Sequence, residues 1–465
     1  MEPLPIHVSG GAAGIDARYD DLGRLARLYD TAGDGLLGWA RHDQGEAADA
    51  DLLASVALAP WSFAEAEQAI LAATSGPRGL ASRAVGLEAT ALCLTACVDL
   101  YRTADAARSE AIDALHYGLG LAAGIHLPTL AVATGAGLGL WHLRGGDTAG
   151  WVEQHPGVVE TAVGSGGGFL DGLQAAPLTA PAMAVLGLRG LHVDTAAAAA
   201  DLGDLLFTER RGALDPDHPA DDFDHPPPTG VRDLLDALGE TAGPDVPDGV
   251  FSVQELRRDD GSVWIVQLPG TDDFVSDDVV RGSGSNLQLT AGEPTAYGEA
   301  VTQAMAAVGV GPDDPVMLVG HSQGGMQAAA LAADPGFGYD VTHVVTAGSP
   351  VGTVALPDGV TVLSLENTGD VVPLLDGEPN PATAHHVTVR ADAHLGSLGA
   401  GPGQNHALST YAAIATAAES GDDPSLQQVM AGMRETGYLS SDAVTRTTSF
   451  RAVVGEVVRP GELRN

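Results

Sequence analysis

A serine flanked by glycines stands between two apolar segments of the chain. The sequence GHSQG at residues 320–324 follows the apolar residues 316–319 and precedes the alanine-rich residues 326–334. This arrangement predicts a strand that turns sharply into a helix, with Ser322 at the turn. Such a turn exposes the hydroxyl above the sheet edge and places the N–H of Gln323 at a helix N-terminus, facing developing negative charge. The pattern favours a nucleophilic serine over an ordinary structural turn.

A serine hydroxyl needs a base to remove its proton, and the base needs a carboxylate to orient it. In hydrolases built on this turn, the acid and then the histidine follow the serine along the chain. Asp370 comes soon after the apolar residues 360–365, where a loop at the carboxyl edge of a sheet would begin. We therefore predict Asp370 as the acid, while Glu366 and Asp376 remain alternatives.

Several histidines follow these acids. His385 and His386 are adjacent, so they would point to opposite faces of a strand, which favours structural roles for both. His406 stands in a glycine-rich loop immediately before a helical pattern, from which it could reach across to the serine. We predict His406 as the base, and His394 remains the main alternative.

A second donor to the oxyanion is expected from the loop after an early strand. The sequence LPGT at residues 268–271 follows such an apolar strand. Gly270 would allow close approach, and the backbone N–H of Thr271 would act together with that of Gln323. An ordinary turn at this point is the alternative. The acidic residues 271–289 that begin here predict a lid over the site.

The chain divides at an acidic, proline-rich linker, predicted at residues 213–229. Residues 1–212 before it have helical periodicity, which predicts an all-α domain. Residues 230–424 after it alternate between strand-like and helix-like segments, which predicts an α/β domain with a mostly parallel sheet covered on both faces. Residues 425–465 predict a helix and a strand that extend this domain.

Two heptad stripes occur in the helical half, separated by a Ser-Gly-Pro breaker at residues 75–77. The first consists of Ile15, Tyr19, Leu22, Ala26, Tyr29, Gly33 and Leu36, and the second of Leu80, Ala84, Leu87, Ala91, Leu94, Val98 and Tyr101. Steps of four and three residues place each stripe on one helix face, and two such stripes predict an antiparallel helical hairpin.

Between residues 250 and 411 the chain resembles the α/β-hydrolase superfamily, and within it the fungal-type triacylglycerol lipases. Four sequence blocks carry the likeness: GHSQGG at the serine, LPGT at the oxyanion loop, VVTAGSPVG at a strand end and ENTGDVVPLL at the acid loop. The resemblance implies an α/β-hydrolase domain. It also implies a lipase-like or esterase-like activity.

The same resemblance assigns roles to individual residues. It implies that Ser322 is the nucleophile, Asp370 the acid and His406 the base, with Thr271 in the oxyanion hole. Gln323 stands where the family has leucine, and the arginines of the family's oxyanion and GSPRVG blocks are absent. These departures leave ester hydrolysis as the expectation and leave triacylglycerol open as a substrate.

In the helical half, residues 101–105 read YRTAD, a tyrosine with an acid four residues later. This half resembles the helical-hairpin substrates of actinobacterial type VII secretion, whose export signal has that form. The family's Trp-x-Gly turn is not reproduced, since the candidate turn has GWA at residues 38–40 and WSF at 61–63. The resemblance covers about the first 110 residues. It implies export and a helical partner protein for this half.

Composition limits the partners. The chain carries 61 acidic and 22 basic residues, a formal net charge of -39, and every basic residue is arginine. This charge disfavours nucleic acid or an anionic membrane surface as a partner. Cys93 and Cys97 have no further metal ligands nearby in sequence. We therefore predict that both are small residues of the core. No metal or organic cofactor is expected.

The sequence leaves two locations open for the protein. The N-terminal sequence lacks the basic start and apolar core of a secretory signal peptide, which predicts a cytoplasmic protein or export by a type VII-like route. Residues 114–141 contain no Asp, Glu or Arg and are long enough to cross a bilayer. Their glycines and Pro128 favour a buried helical hairpin, and membrane insertion remains the alternative.

Two functions are therefore expected from the sequence. The first is hydrolysis of carboxylic esters or lipids by a Ser-His-Asp triad, since all three residue types are present in the required order. The second is an exported effector or interaction protein. In that case the helical half would mediate export or partner binding, and the hydrolase fold would be a phospholipase or an inactive scaffold.

Overall fold

A computed structural model gives the structure of most of the chain. Contacts between residues divide it into two compact units, residues 15–111 and residues 1–14 together with 112–465. The residues that the structure describes are 4–11, 15–126, 155–188, 190–207, 210–218, 221–223, 225–258, 261–273, 279–393 and 402–457.

The first unit is helical, as its sequence periodicity predicts. Its helices are α1 (Ile15–Glu46), α2 (Ala50–Ala54), α3 (Pro60–Thr74) and α4 (Leu80–Ile125), whose last turns belong to the second unit. Pro60 begins α3, where its missing N–H removes no helical hydrogen bond.

Helices α1 and α4 pack side by side through small residues. A side chain at Gly33 would come within 3.2 Å of the carbonyl oxygen of Ala84. Nearer the start of α1, Ala26 lines a groove together with Ala91 and Val98 of α4. Earlier positions of α1 lie beside later positions of α4, so the two helices are antiparallel. The predicted hairpin is confirmed.

The prediction that Cys93 and Cys97 are core residues was wrong, because both are exposed free thiols. The buried stripe of α4 passes through Ala84, Ala91 and Val98. Neither cysteine falls on that stripe, since residues of one helix face recur at intervals of about 3.5 positions.

One helical segment in the described part of the chain, Leu80–Asp99, is apolar and long enough to cross a membrane by length and composition, and 17% of it is buried. The segment 114–141, predicted as a buried helical hairpin, begins in the last turns of α4. Its residues 127–141 lie outside the described residues.

The second unit contains a mixed β-sheet. Its strands are β1 (Ile6–Gly10), β2 (Arg210–Leu214), β3 (Asp221–Phe223), β4 (Val250–Arg258), β5 (Gly261–Leu268), β6 (Pro315–His321), β7 (Asp340–Ala347), β8 (Thr361–Asn367), β9 (His386–Ala391) and β10 (Val444–Val457). Their order across the sheet is β1-β9-β8-β7-β6-β5-β4-β10-β2, and β3 also pairs with β10.

The five strands from β5 to β9 are parallel to one another and lie in sequence order. Their carboxyl ends therefore meet at one edge of the sheet, and the loops that follow them are neighbours. The predicted oxyanion loop follows β5, the serine follows β6, the acid follows β8 and the histidine follows β9. The flanking pairs, including the hairpin of β4 and β5, are antiparallel.

Helices cover both faces of this sheet. The helices after the first unit are α5 (Pro156–Gly164), α6 (Gly166–Ala175), α7 (Ala180–Val185), α8 (Thr195–Leu206), α9 (Val231–Thr241), α10 (Ser283–Ala291), α11 (Ala296–Val308), α12 (Gln323–Ala333), α13 (Pro402–Asn405), α14 (Leu408–Glu419) and α15 (Pro424–Thr436).

Strand side chains alternate between two apolar cores. Ile265 and Met317 face the core that α9, α14 and α15 cover, while Val266 and Leu318 face the core under α11 and α12. Strands whose side chains are apolar on both faces are typical of a sheet that is buried on both sides. The parallel strands are therefore held rigidly, which fixes the positions of the loops at their carboxyl ends.

A cluster of short helices, α5 to α8, packs on the end of α4 through backbone contacts. A side chain at Gly120 or Gly124 of α4 would collide with carbonyl oxygens of Ser165 and Phe169. In the facing sequence GSGGG at residues 164–168, a side chain at Gly168 would collide with the carbonyl oxygen of Tyr117, so glycines on both sides allow the two helices to touch. The cluster also contacts the sheet edge, because α8 packs on α10 and α5 contacts the turn Val372–Leu374.

The second unit extends beyond the boundaries predicted for the α/β domain. β1 pairs with β9 at one side of the sheet, and β10 pairs with β4 toward the other. The predicted linker contributes to β2 and β3, both of which pair with β10. The fold class is α/β with an N-terminal helical region, and the sheet takes strands from both ends of the chain.

Candidate active site

Ser322 occupies a strained corner between β6 and α12. Its φ of 54° and ψ of -126° make it the one residue other than glycine with positive φ in the described part of the chain. Such a conformation costs about 1–3 kcal/mol and persists only where the surroundings enforce it. Its N–H donates a hydrogen bond of 2.9 Å to the carbonyl oxygen of Ala347 at the end of β7.

The glycines of the motif are required by close backbone contacts. A side chain at Gly320 would collide with the carbonyl oxygen of Gly324, and one at Gly324 would collide with that of Leu268. The spacing of the glycines therefore follows from the sharpness of the turn, as the sequence predicts. The predicted strand–turn–helix is confirmed.

Asp370 and His406 are joined by a hydrogen bond of 2.6 Å between Oδ2 and Nδ1. Asp370 is buried, while the His406 side chain keeps 21% of its surface exposed. The other carboxylate oxygen of Asp370 accepts a bond of 3.0 Å from the N–H of Val372. Because the carboxylate accepts at Nδ1, the lone pair of a neutral His406 is on Nε2, the nitrogen that a general base uses.

The hydroxyl of Tyr411 donates a second bond of 2.6 Å to Oδ2 of Asp370. Burial, together with the charge of Asp370, raises the pKa of Tyr411 well above its ordinary value, so the hydroxyl stays protonated and donates. The carboxylate is thus fixed by three donors before any substrate binds.

Ser322 and His406 lie in adjoining loops, but no hydrogen bond joins the serine hydroxyl to His406. The link between the two loops is His321, whose ring centroid is 4.5 Å from that of His406. Catalytic hydrogen bonds are often unformed before substrate binds. The structure therefore joins the predicted acid to the predicted base, and Ser322 directly follows the His321 that contacts this base.

The predicted oxyanion loop lies directly against the serine. A side chain at Gly270 would come within 2.9 Å of Cβ of Ser322. The hydrogen bonds of the described residues include no acceptor for the N–H of Thr271 or the N–H of Gln323. Gln323 is the first residue of α12, where N–H groups have no partner within the helix. Both groups are free to bind an oxyanion.

Side chains hold this loop in place. Asn286 of α10 donates a bond of 3.3 Å to the hydroxyl of Thr271, and the Gln323 amide donates one of 2.9 Å to the carbonyl of Gly282. Arg281 binds Asp272 through two bonds of 2.8 and 2.5 Å, and both side chains are largely buried. Residues 272 and 281 of the predicted lid are therefore clamped together, while its residues 274–278 lie outside the described part of the chain.

The alternative acids have other partners. Glu366 accepts bonds of 2.6 Å from Arg390 and from Asn380. Asp376 is buried and accepts bonds from the backbone N–H groups of Gly352 and Glu378. Burial raises the pKa of Asp376 to about 6 despite these bonds. Glu366 on β8 thus binds a side chain of β9, and Asp376 binds the backbone of the loops around it.

The alternative histidines do not face the serine in the described part of the chain. His385 is exposed, and His386 is buried with its Nε2 at 2.9 Å from the hydroxyl of Ser364 inside the sheet. Burial lowers the pKa of His386 to about 4. His394 lies outside the described residues.

The residues missed by sequence reasoning are His321, Asn286, Arg281 and the hydroxyl of Tyr411. Only His321 lies inside a sequence motif, GHSQG, and its contact with His406 joins the end of β6 to a distant part of the chain. Within the described ranges, no group of three or more His, Cys, Asp or Glu side chains could hold a metal ion.

No family model, curated protein or solved structure matches this chain. The functional conclusion therefore depends on the residues and geometry described above.

Proposed function

We propose that this chain is a serine hydrolase of carboxylic esters with an α/β-hydrolase domain. The observation that carries the proposal is the hydrogen bond of 2.6 Å between Asp370 and His406, formed at the sheet edge where Ser322 is strained. A strained serine alone indicates only a sharp turn, and a hydrogen-bonded pair of carboxylate and imidazole alone is common in structural networks. Their joint presence beside two free backbone N–H groups favours acyl transfer.

The reaction follows from these positions. Nε2 of His406 takes the proton of Ser322 as its oxygen attacks the ester carbonyl, and Asp370 stabilises the imidazolium. The N–H groups of Thr271 and Gln323 bind the tetrahedral oxyanion, supported by the N-terminus of α12. The imidazolium then protonates the departing alcohol, and a water activated by His406 releases the acid and restores the serine.

Hydrolysis of short-chain p-nitrophenyl esters tests the proposal. The purified wild type should release p-nitrophenol, and Ser322→Ala should retain the fold and lose the activity. Ser349→Ala is a matched control, because Ser349 is a buried serine on the neighbouring strand end whose hydroxyl bonds the carbonyl of Ala347. Equal activity of wild type and Ser322→Ala would exclude the triad. A panel of carboxylic esters and phospholipids then identifies the substrate class.

The second candidate function is that of an exported effector with a partner-binding helical unit. One observation favours it: the described part of this unit exposes several large apolar side chains, among them Leu28, Leu58, Trp61 and Leu92. These side chains are available for contact with the helical partner that the sequence resemblance implies.

Secretion by the native host tests this second candidate. If the YRTAD sequence is an export signal, the supernatant of cells producing Tyr101→Ala should lose the protein, which should accumulate in the cells. Thr95→Ala, on the same helix outside that sequence, should be exported like the wild type. Equal export of all three proteins would show that YRTAD is not the export signal. The hydrolase and export proposals are independent, and either can fail alone.

A further inference from the structure

His406 stands at the end of a long connection, so its position depends on local contacts. β9 ends at Ala391, and the described chain resumes only with α13 before His406. Two side chains from neighbouring strand ends hold the backbone here. Asn367 of β8 donates a bond of 3.0 Å to the carbonyl of Asn405, and His321 of β6 contacts the carbonyl of His406 at 2.8 Å.

The contact of His321 defines its tautomer. A carbonyl oxygen only accepts, so Nε2 of His321 must carry the hydrogen and donate it to His406. The same ring packs over the His406 ring at 4.5 Å with an angle of 33° between the planes, and it lies 5.9 Å from the ring of Tyr411. One side chain thus contacts both the backbone and the imidazole of the base.

His321 also faces the oxyanion loop. A side chain at Gly270 would come within 3.4 Å of Nδ1 of His321. The ring therefore occupies the space between the loop that holds Thr271 and the loop that holds His406. Because His321 directly precedes Ser322, a shift of either loop would be transmitted to the serine corner.

The ring of His321 is uncharged at physiological pH. Burial, and to a lesser degree the proximity of His406, lowers the pKa of His321 to about 3. A neutral ring keeps a single N–H, which the carbonyl of His406 binds. It also presents no positive charge to repel the proton that His406 must accept.

We propose that His321 is a positioning residue for the base: its Nε2–H fixes the backbone of His406, and its ring face fixes the plane of the imidazole. The inference rests on the proposed ester hydrolase function, because it assigns His406 the role of base. His321 itself exchanges no proton with the substrate.

Two substitutions separate the donor from the bulk of the ring. His321→Phe keeps a planar ring and removes the N–H, which leaves the carbonyl of His406 without its donor. His321→Gln places an amide N–H at about the reach of imidazole Nε2. The rate at which a fluorophosphonate probe labels Ser322 measures the activated serine without knowledge of the natural ester. Thermal unfolding of both variants measures the structural cost separately.

We expect labelling to slow about 100-fold in His321→Phe, the cost of a displacement of about 1 Å in a catalytic group. His321→Gln should recover most of the rate, and KM for a p-nitrophenyl ester should stay near the wild-type value in both. Equal labelling of His321→Phe and the wild type would overturn the proposal. So would an equal loss in both variants, because the N–H that His321→Gln restores would then contribute nothing.

Nitrogen NMR of histidine-labelled wild type tests the same contact without a substitution or an active enzyme. His321 should remain the neutral Nε2–H tautomer from about pH 5 to about pH 9. An Nδ1–H tautomer, or protonation within that range, would overturn the proposal. If the probe fails to label the wild type, the ester hydrolase proposal fails, and the tautomer of His321 still decides whether this ring holds His406.

Discussion

The Tyr411 hydroxyl donates to the same oxygen of Asp370 that contacts His406, with both distances at 2.6 Å. Tyr411 is fully buried on α14, the helix that follows His406. Its ring fits because Gly348, with a φ of +63°, carries no side chain, and a Cβ there would lie 2.8 Å from the ring. The proposed acid is therefore held by a residue of the helix that follows the proposed base.

Replacement of Tyr411 by phenylalanine should reduce kcat without a change in KM. Loss of one donor leaves the Asp370 carboxylate free to rotate, and we expect a loss of roughly tenfold in kcat, equivalent to about 1.4 kcal/mol in the barrier. Steady-state kinetics on a p-nitrophenyl ester measures it. The control is Tyr438→Phe, because Tyr438 is also fully buried and its hydroxyl bonds Thr342 away from the triad. A similar loss of kcat in the control would show a general effect of buried tyrosines.

The acid can be identified by comparison of Asp370→Asn with Glu366→Gln. An amide at position 370 can no longer hold the required tautomer of His406, and we expect kcat to fall about 10,000-fold. Glu366→Gln breaks the ion pair with Arg390 and should lower the free energy of unfolding while kcat is retained. If Asp370→Asn is active and Glu366→Gln is inactive, Glu366 and not Asp370 is the acid that orients His406.

Gly270 should tolerate no side chain if its loop forms the oxyanion hole. In Gly270→Ala the added methyl would lie 2.9 Å from Cβ of Ser322 and 3.1 Å from the carbonyl oxygen of His321, so the loop must move away. We expect a loss of about 100- to 1,000-fold in kcat, the effect of one missing oxyanion donor. Gly359→Ala is the control, because nothing lies within 4 Å of that position. Retained activity in Gly270→Ala would exclude this loop from the oxyanion hole.

The serine corner could be predicted from sequence because its requirements are local. A side chain at Gly320 would collide with the backbone of Gly324 and Gly325, so this part of the requirement lies within the motif itself. A side chain at Gly324 would instead collide with the carbonyl oxygen of Leu268 at the end of β5, a contact that only the fold creates. The edge of the sheet was also predictable, since parallel strands bring the loops after β6, β8 and β9 together. Asp370 and His406 follow two of these strands, and the structure joins them.

The remaining features depend on long-range pairing that a sequence pattern does not contain. The residues of β1 pair with those of β9, almost four hundred positions later, and the sequence shows only a short polar–apolar alternation. The exposure of Cys93 depends on which face of α4 packs against α1. The clamp between Arg281 and Asp272 joins two ends of one loop, and nothing in the spacing marks those residues as partners.

His192 lies among the short helices α5 to α8 with a carboxylate at each ring nitrogen. Its Nδ1 is 2.7 Å from Asp171, and its Nε2 is 2.8 Å from Asp201. Tyr117 of α4 also donates a bond of 2.8 Å to Asp171. Burial alone would lower the pKa of His192, but the hydrogen bonds and charges of Asp171 and Asp201 outweigh it and raise the pKa above its ordinary value.

This cluster predicts a loss of stability as the pH rises. A histidine whose pKa is higher in the folded state contributes its full stabilisation below pH 6.5, the value in the unfolded chain, and loses it as the pH passes through the folded value. In urea unfolding, the stability advantage of the wild type over His192→Gln should therefore shrink between about pH 6.5 and about pH 8.5, since an amide does not titrate there and the other groups are the same in both proteins. His385→Gln, at an exposed histidine, should keep the pH profile of the wild type. If the wild type and His192→Gln lose stability in parallel over this range, the two carboxylates do not hold His192 as a cation.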